Sequence, residues 1–408
     1  MRANWAFHAN DEQVIGALTS GTHASSLREY FGRATYLELR ALAKKSRHRC
    51  AGAYPRVLIL PGIMGSKLSE APGRGGKPQL LWIDPLKVAD GQLTALKYPG
   101  STAIAPTGTL LFSYAKLWFA LHAAGCDVRF HSFDWRLDIE ELGAQLAGRI
   151  LADRPVVLVG HSMGGLVARA AMKQLPKHAV KKLIMVGTPN YGSFAPVQAL
   201  RGTYPFVRHL ATFDLKHTPE FLAQEVFCSF PGLYQLLPAP ARRRGKGLFD
   251  PGSWPVARPA PNPDLLKAAA KIHRKLAPAN GRMAQIVGVD QETIVDVRRI
   301  KSGFEYRMNR NGDGTVPLTL ALLPRVPRYF VKEQHGALAN NPQVIQAVVN
   351  LVRRGRTQAL ARRWTRKRAP VTFIDDATLR ATDREKIDWR QLNSAQREAA
   401  LAKLDERD

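Results

Sequence analysis

Residues 156 to 170, VVLVGHSMGGLVARA, form an apolar run that stops at a serine between glycines and resumes with helix-forming residues. Val156 to Val159 read as a buried strand and Leu166 to Ala170 as the start of a helix. Between them Gly160, Ser162 and Gly164 fit the pattern G-x-S-x-G. In that pattern the strand turns into the helix so sharply that the serine backbone is strained and its Oγ stands exposed at the positive end of the helix. A side chain at either glycine would strike the opposite arm of the turn. A plain Gly-Ser turn is the competing reading of the pentapeptide alone, and the flanking strand and helix are what favour a nucleophile.

Working outward, the same kind of strand recurs. PRVLILPGIMGSKL (55–68) opens on a Val, Leu and Ile run closed by Pro-Gly. CDVRFHSF (126–133), KKLIMVGTP (181–189) and AQIVGVD (284–290) follow. DWRLDIEELGAQLAGRILAD (134–153) places Leu142, Leu146 and Ile150 on one helix face. Strands alternating with helices predict a mainly parallel, doubly wound α/β sheet covered on both faces. The alternation breaks between about 193 and 283, where an aromatic-rich stretch holding Phe194, Phe206, Phe227, Tyr234 and Trp254 is expected to form an inserted cap or lid.

Residues 1–50 read as a helical leader, with Leu27, Tyr30, Phe31, Leu37, Leu39 and Leu42 set among charges. Residues 51–352 form the catalytic domain in this reading, and 353–408 a basic, partly helical tail. Asn393 and Gln396 are placed to cap its last helix.

A serine hydroxyl needs a base to take its proton and an acid to orient that base. In this architecture both follow the serine, acid first. NRNGDGTVPL (309–318) offers Asp313 in a Gly-flanked turn, and PRYFVKEQHGAL (327–338) offers His335 after a short apolar run. Asp290, which ends AQIVGVD, is the rival acid. His273 is the rival base, although KAAAKIHRKLA (267–277) reads as a solvated basic helix face. His161, inside the turn, is expected to point away from Oγ and to pack. Two backbone N–H groups must receive the oxyanion, each worth on the order of 3 kcal/mol. Met163, after the nucleophile, and Ile63, in LPGIMGS (60–66), are the candidates, with a Pro-Gly turn of no catalytic part as the alternative for the second.

Composition narrows the class. Apolar residues make up 45% and charged residues 23%, as in a globular protein, while 60 Lys plus Arg against 33 Asp plus Glu give a net charge of +27. That charge points to nucleic acid, to an anionic membrane, or to no partner at all. Neither a zinc-finger spacing nor a basic–aromatic stacking pattern is present, so no nucleic acid is expected. Cys50, Cys126 and Cys228 lie far apart, giving neither a metal site nor a disulfide framework, and no metal or cofactor is expected. With no signal-like h-region in MRANWAFHANDEQ, the expected location is the cytoplasm, with peripheral contact at a membrane surface.

Several motifs, taken in order, resemble the lecithin:cholesterol acyltransferase-like family of lipases and acyltransferases within the α/β-hydrolase fold. They are VLILPGIMGSKL, LWID (81–84), FDWR (133–136), GHSMGG (160–165), GTPNYGS (187–193), FPGLYQLLP (230–238), GDGTVP (312–317) and the His335 loop. The resemblance implies a serine acyl-enzyme mechanism on lipid esters. Ser162, Asp313 and His335 match the family's triad, and Ile63 and Met163 match its oxyanion donors. It also makes Trp82, in LWID, and Tyr191, in GTPNYGS, candidate substrate contacts, although Trp82 reads equally well as core. The cap would shield the acyl chain, and Arg242, Arg243, Arg244 and Lys246 with the cluster at 353–368 would meet anionic headgroups. The alternatives are a soluble esterase or thioesterase with the same triad, and a non-enzymatic basic binding protein on the same scaffold.

Overall fold

The structure, a computed structural model, describes residues 4–46, 56–71, 76, 78–100, 103–152, 155–242, 247–365, 370–381, 385–393 and 395–400. Four helices open the chain: Trp5–His8, Asp11–Ser20, Ala24–Phe31 and Arg33–Ser46. Leu27, Tyr30, Phe31 and Leu39 are buried beneath them. Leu37, in the same apolar set, stands 56% exposed.

Next come β1 (Arg56–Leu60), β2 (Ser66–Glu70), β3 (Gln79–Trp82), β4 (Ile104–Thr109), β5 (Asp127–Phe130), β6 (Val156–His161) and β7 (Val180–Val186). After the helical insertion follow β8 (Met283–Gly288), β9 (Thr293–Ile300), β10 (Gly303–Asn309), β11 (Arg328–Val331) and β12 (Thr372–Asp375). Six of these strands form the central sheet in the order β11-β8-β7-β6-β1-β5, with every neighbour pair parallel. Buried on both faces, a parallel strand has no polar side to show, so VVLVGH is buried at all six positions. Leu142, Leu146 and Ile150 of the helix Ile139–Leu151 pack on one face of this sheet, and Val344, Val348 and Leu351 of the helix Pro342–Arg354 pack on the other.

Two antiparallel sheets lie outside the parallel core. β3-β2-β4 follows the first strand directly, and β12-β10-β9 joins a hairpin to the late strand β12. Their alternating patterns, as in TIVDVRRI and GFEYRMN, went unread in the sequence. The Lys301-Ser302-Gly303 turn, with Gly303 at φ 151°, was the signal available there.

Between β7 and β8 the insertion consists of short helices, from Ala195–Leu200 to Ile272–Lys275. Its aromatic side chains pack inward: Phe194, Phe206, Phe213, Phe227, Phe230, Tyr234 and Trp254 all enter the core.

The chain beyond 353 folds back onto the body. Asp376, after β12, accepts bonds from Arg201 Nε at 3.0 Å and from Tyr306 Oη at 2.7 Å. Asn393 and Gln396 form the reciprocal cap, at 2.9 and 3.0 Å, ahead of a helical segment at 395–400. Arg33 N there donates to Glu398 Oε1 at 3.1 Å, so leader and tail touch.

Candidate active site

At the end of β6 the chain reverses into the helix Met163–Gln174, and Ser162, at the bend, adopts φ 51° and ψ −125°. A non-glycine residue in this region carries roughly 1–3 kcal/mol of strain. Glycines make the bend possible. A Cβ on Gly160 would come within 2.6 Å of the Gly165 Cα, and one on Gly164 within 2.4 Å of the Pro61 carbonyl oxygen.

Three side chains meet here from three elements. His335, in the loop after β11, places Nε2 2.8 Å from Ser162 Oγ and Nδ1 2.8 Å from Asp313 Oδ2. Asp313 is 1% exposed. Its Oδ1 accepts from the amides of Thr315 at 3.1 Å and Val316 at 2.6 Å, so both carboxylate oxygens are engaged and the group is fixed in place. The His335 amide donates to Asp313 O at 2.8 Å, which pins the two loops to each other. The Ser162 hydroxyl therefore donates to an imidazole whose other nitrogen donates to a fixed carboxylate.

Asp290 is elsewhere. It sits at the surface, 3.0 Å from Lys332 and 3.2 Å from Arg310, and the Lys332 hydrogen bond leads in holding its carboxyl below the usual range. The two acids are near neighbours for a topological reason. The β9–β10 hairpin leaves the end of β8 and returns beside it, pairing Gln291 with Asp313. Gly288 is the point of close approach, where a Cβ would lie 2.6 Å from Asp313 Cβ.

His273 departs from the solvated helix face expected for it. Both its ring nitrogens are buried, and burial, with Arg169 second, pushes its pKa down to about 4. The basic neighbours Lys271, Arg274 and Lys275 face out, while the ring between them turns inward. His161 is 4% exposed and packs away from Oγ, 2.9 Å from Tyr114 Oη and 3.0 Å from the His335 main-chain oxygen.

The loop after β1 closes the other side. Gly62 lies so near the serine that a Cβ on it would be 3.0 Å from Ser162 Cβ. Ile63 follows it, half-buried. Met163, the first residue of the helix, is fully buried. Trp82 is 1% exposed and donates from Nε1 to the Met64 carbonyl at 2.9 Å, so its ring supports this loop from the core. Tyr191 is half-buried beneath Arg242, whose guanidinium lies 3.6 Å from the ring centroid. Arg242 is thus stacked on a ring, while Arg243, Arg244 and Lys246 lie outside the described residues. Arg353, Arg354, Arg356, Arg362 and Arg363 are exposed, and 366–369 are likewise undescribed.

Ser162 and His335 are each only 6% exposed. Among the described residues no group of three or more His, Cys, Asp or Glu is placed to hold a metal ion.

The sequence model described as lecithin:cholesterol acyltransferase matches residues 87–378, well over half of the chain. No match is found among curated proteins. Solved structures with similar folds include a chain of the Tle4-Tli4 complex, 15% identical with a TM-score of 0.44, covering 58% of this chain and 75% of that one. The mature form of the Bacillus licheniformis lipase BlEst2 is 14% identical with a TM-score of 0.38, covering 75% of this chain and 94% of its own. An extracellular alpha/beta-hydrolase from a Paenibacillus species is 11% identical with a TM-score of 0.30, covering 73% and 98%.

Proposed function

Because this chain belongs to the lecithin:cholesterol acyltransferase family, we propose that it is a serine-dependent acyl hydrolase or O-acyltransferase acting on lipid esters. One observation carries the reading: the continuous Ser162–His335–Asp313 hydrogen-bond chain, 2.8 Å at each link. In this mechanism Ser162 Oγ attacks the ester carbonyl while His335 Nε2 takes the hydroxyl proton. Asp313 holds the ring in the tautomer that leaves Nε2 free to accept and stabilises the imidazolium that forms. The tetrahedral oxyanion is received by the backbone N–H groups of Met163 and Ile63. Collapse expels the alcohol, which leaves with the proton from His335, and the acyl group stays on Ser162. Water or a second alcohol, deprotonated by His335, then repeats the sequence in reverse and frees the serine.

The charge of +27 supports meeting a lipid-ester substrate at an anionic membrane surface. No helix among the described residues is long and apolar enough to cross a membrane.

Ser162→Ala should fold normally and lose activity by a factor on the order of 10⁴ to 10⁶. A fluorophosphonate should label the wild type and not this variant, and labelling that persists in Ser162→Ala overturns the proposal. Product profiling on vesicles of mixed phospholipid, glyceride and sterol ester, with and without an alcohol, reads out substrate and acceptor.

A further inference from the structure

We propose that Tyr114 is a positioning residue of the acyl-transfer site, its hydroxyl joining the Gly62 amide to His161 and, through that ring, to the main chain of His335. The proposal rests on the acyl-transfer reading above and deepens it. Tyr114 lies on the helix Leu111–Ala123 and is 1% exposed. Its hydroxyl is 2.9 Å from Gly62 N and 2.9 Å from His161 Nδ1, and His161 Nε2 is 3.0 Å from His335 O.

Counting protons gives the chain a direction. A carbonyl oxygen only accepts, so His161 Nε2 carries the proton, and Nδ1 of the neutral ring is then an acceptor. Tyr114 therefore donates its O–H to His161 and receives the Gly62 N–H on a lone pair. Every donor from Gly62 to His335 points the same way, and each link polarises the next.

Both ends reach parts the chemistry depends on. Gly62 touches Ser162 and immediately precedes Ile63, the candidate oxyanion donor, so the Tyr114 bond fixes the peptide from which that donor is presented. The loop is held again two residues on, where Trp82 donates to Met64 O. At the far end the His335 amide is tied to Asp313 O and the His335 carbonyl to His161, so both main-chain groups of the base are anchored. The chain thus sets the spacing between oxyanion donor, nucleophile and base, which acyl transfer feels at the sub-ångström level. Tyr114 touches no reacting atom in this arrangement. Its loss belongs in turnover rather than in substrate binding.

The test compares kcat and KM of Tyr114→Phe, His161→Leu, His161→Gln and the Tyr114→Phe/His161→Leu double variant on a p-nitrophenyl acyl ester, beside Ser162→Ala. Tyr114→Phe and His161→Leu should each lower kcat by about 10- to 100-fold with KM changed less than about threefold. Gln keeps an acceptor oxygen beside an amide donor, so His161→Gln should recover most of the loss. Because one chain is broken only once, the double variant should be no more than about threefold worse than the worse single variant. A Tyr114→Phe kcat within about twofold of wild type, losses lying in KM, or fully multiplying effects in the double variant would each overturn the proposal. Should Tyr114→Phe fail to fold, equal kcat for His161→Gln and His161→Leu overturns it. Retained activity in Ser162→Ala sinks the acyl-transfer reading itself, whatever Tyr114 does.

Discussion

Ser162 combines a strained backbone with an unstrained hydrogen-bond partner, and the two belong together. At φ 51° the residue can point Oγ out of the turn toward His335 only because the surrounding strand and helix hold it there. The acid is the residue whose role separates most sharply from its rival. Asp313 is buried with both oxygens bonded, whereas Asp290 faces solvent between two cations. Asp313→Asn should reduce kcat on the order of 10⁴-fold, because the amide favours the wrong tautomer of His335. Asp290→Asn should leave kcat within about threefold of wild type, as for a surface charge. Equal losses in the two variants would contradict the geometry. In the sequence the serine was legible from its own flanks, and the base from the apolar run before it. The acid was harder, since a 22-residue excursion brings Asp313 to His335 at the strand end where Asp290 also sits. Tyr114 was not legible at all: its partners lie 52 and 47 positions away, and no local pattern marks a tyrosine on a buried helix as polar-bonded.

Among elements, the bend between β6 and its helix is the least tolerant of change. Gly164 lies against the backbone rather than a movable side chain, and a methyl there would sit 2.4 Å from Pro61 O and 2.6 Å from Leu60 O. Gly164→Ala should cost about 3 kcal/mol, at the upper end of overpacking penalties, and should displace the loop carrying Ile63. Urea unfolding and the rate of fluorophosphonate labelling read both effects, and a variant with unchanged midpoint and rate would refute the packing argument. The parallel strands were readable because burial on both faces leaves them uniformly apolar. The antiparallel sheets were not, since one open face dilutes their pattern to alternation among charges, as in β9 with its Arg298 and Arg299. The aromatic residues of the insertion pack into the same core as the sheet and the leader, so their large side chains join the short helices to the body.

At the scale of the whole molecule, the late chain and the insertion are fastened by a buried charge pair. Arg201 is 0% and Asp376 1% exposed, and Arg201 also donates to the carbonyl oxygens of Ala257, at 2.6 Å, and Pro259. Removing one partner strands the other without water, so Asp376→Asn should lower the unfolding free energy by about 3–5 kcal/mol. The double variant Arg201→Leu/Asp376→Leu should cost less than either single one in the same urea titration, and a larger cost would show that the pair is not the source of the penalty. Acid acts through other buried groups, His131 among them beside His273. Burial, with Arg149 second, pushes the His131 pKa from 6.5 down to about 4. The folded state therefore binds fewer protons than the unfolded chain between those values. The contribution is complete above pH 6.5 and is lost as the pH falls through 4, amounting to roughly 3 kcal/mol. His131→Asn, which keeps an acceptor for Arg149, should flatten that loss when unfolding is compared at pH 7 and pH 4.5. An unchanged slope would exclude His131 as its origin. The Arg201–Asp376 link also has a consequence for biosynthesis. Its partners are 175 residues apart, and His335 lies between them in the chain. A ribosome therefore delivers Ser162, Asp313 and His335 before it delivers the carboxylate that fastens the insertion to the late chain. Arg201 gains its buried partner only once Asp376 has left the exit tunnel.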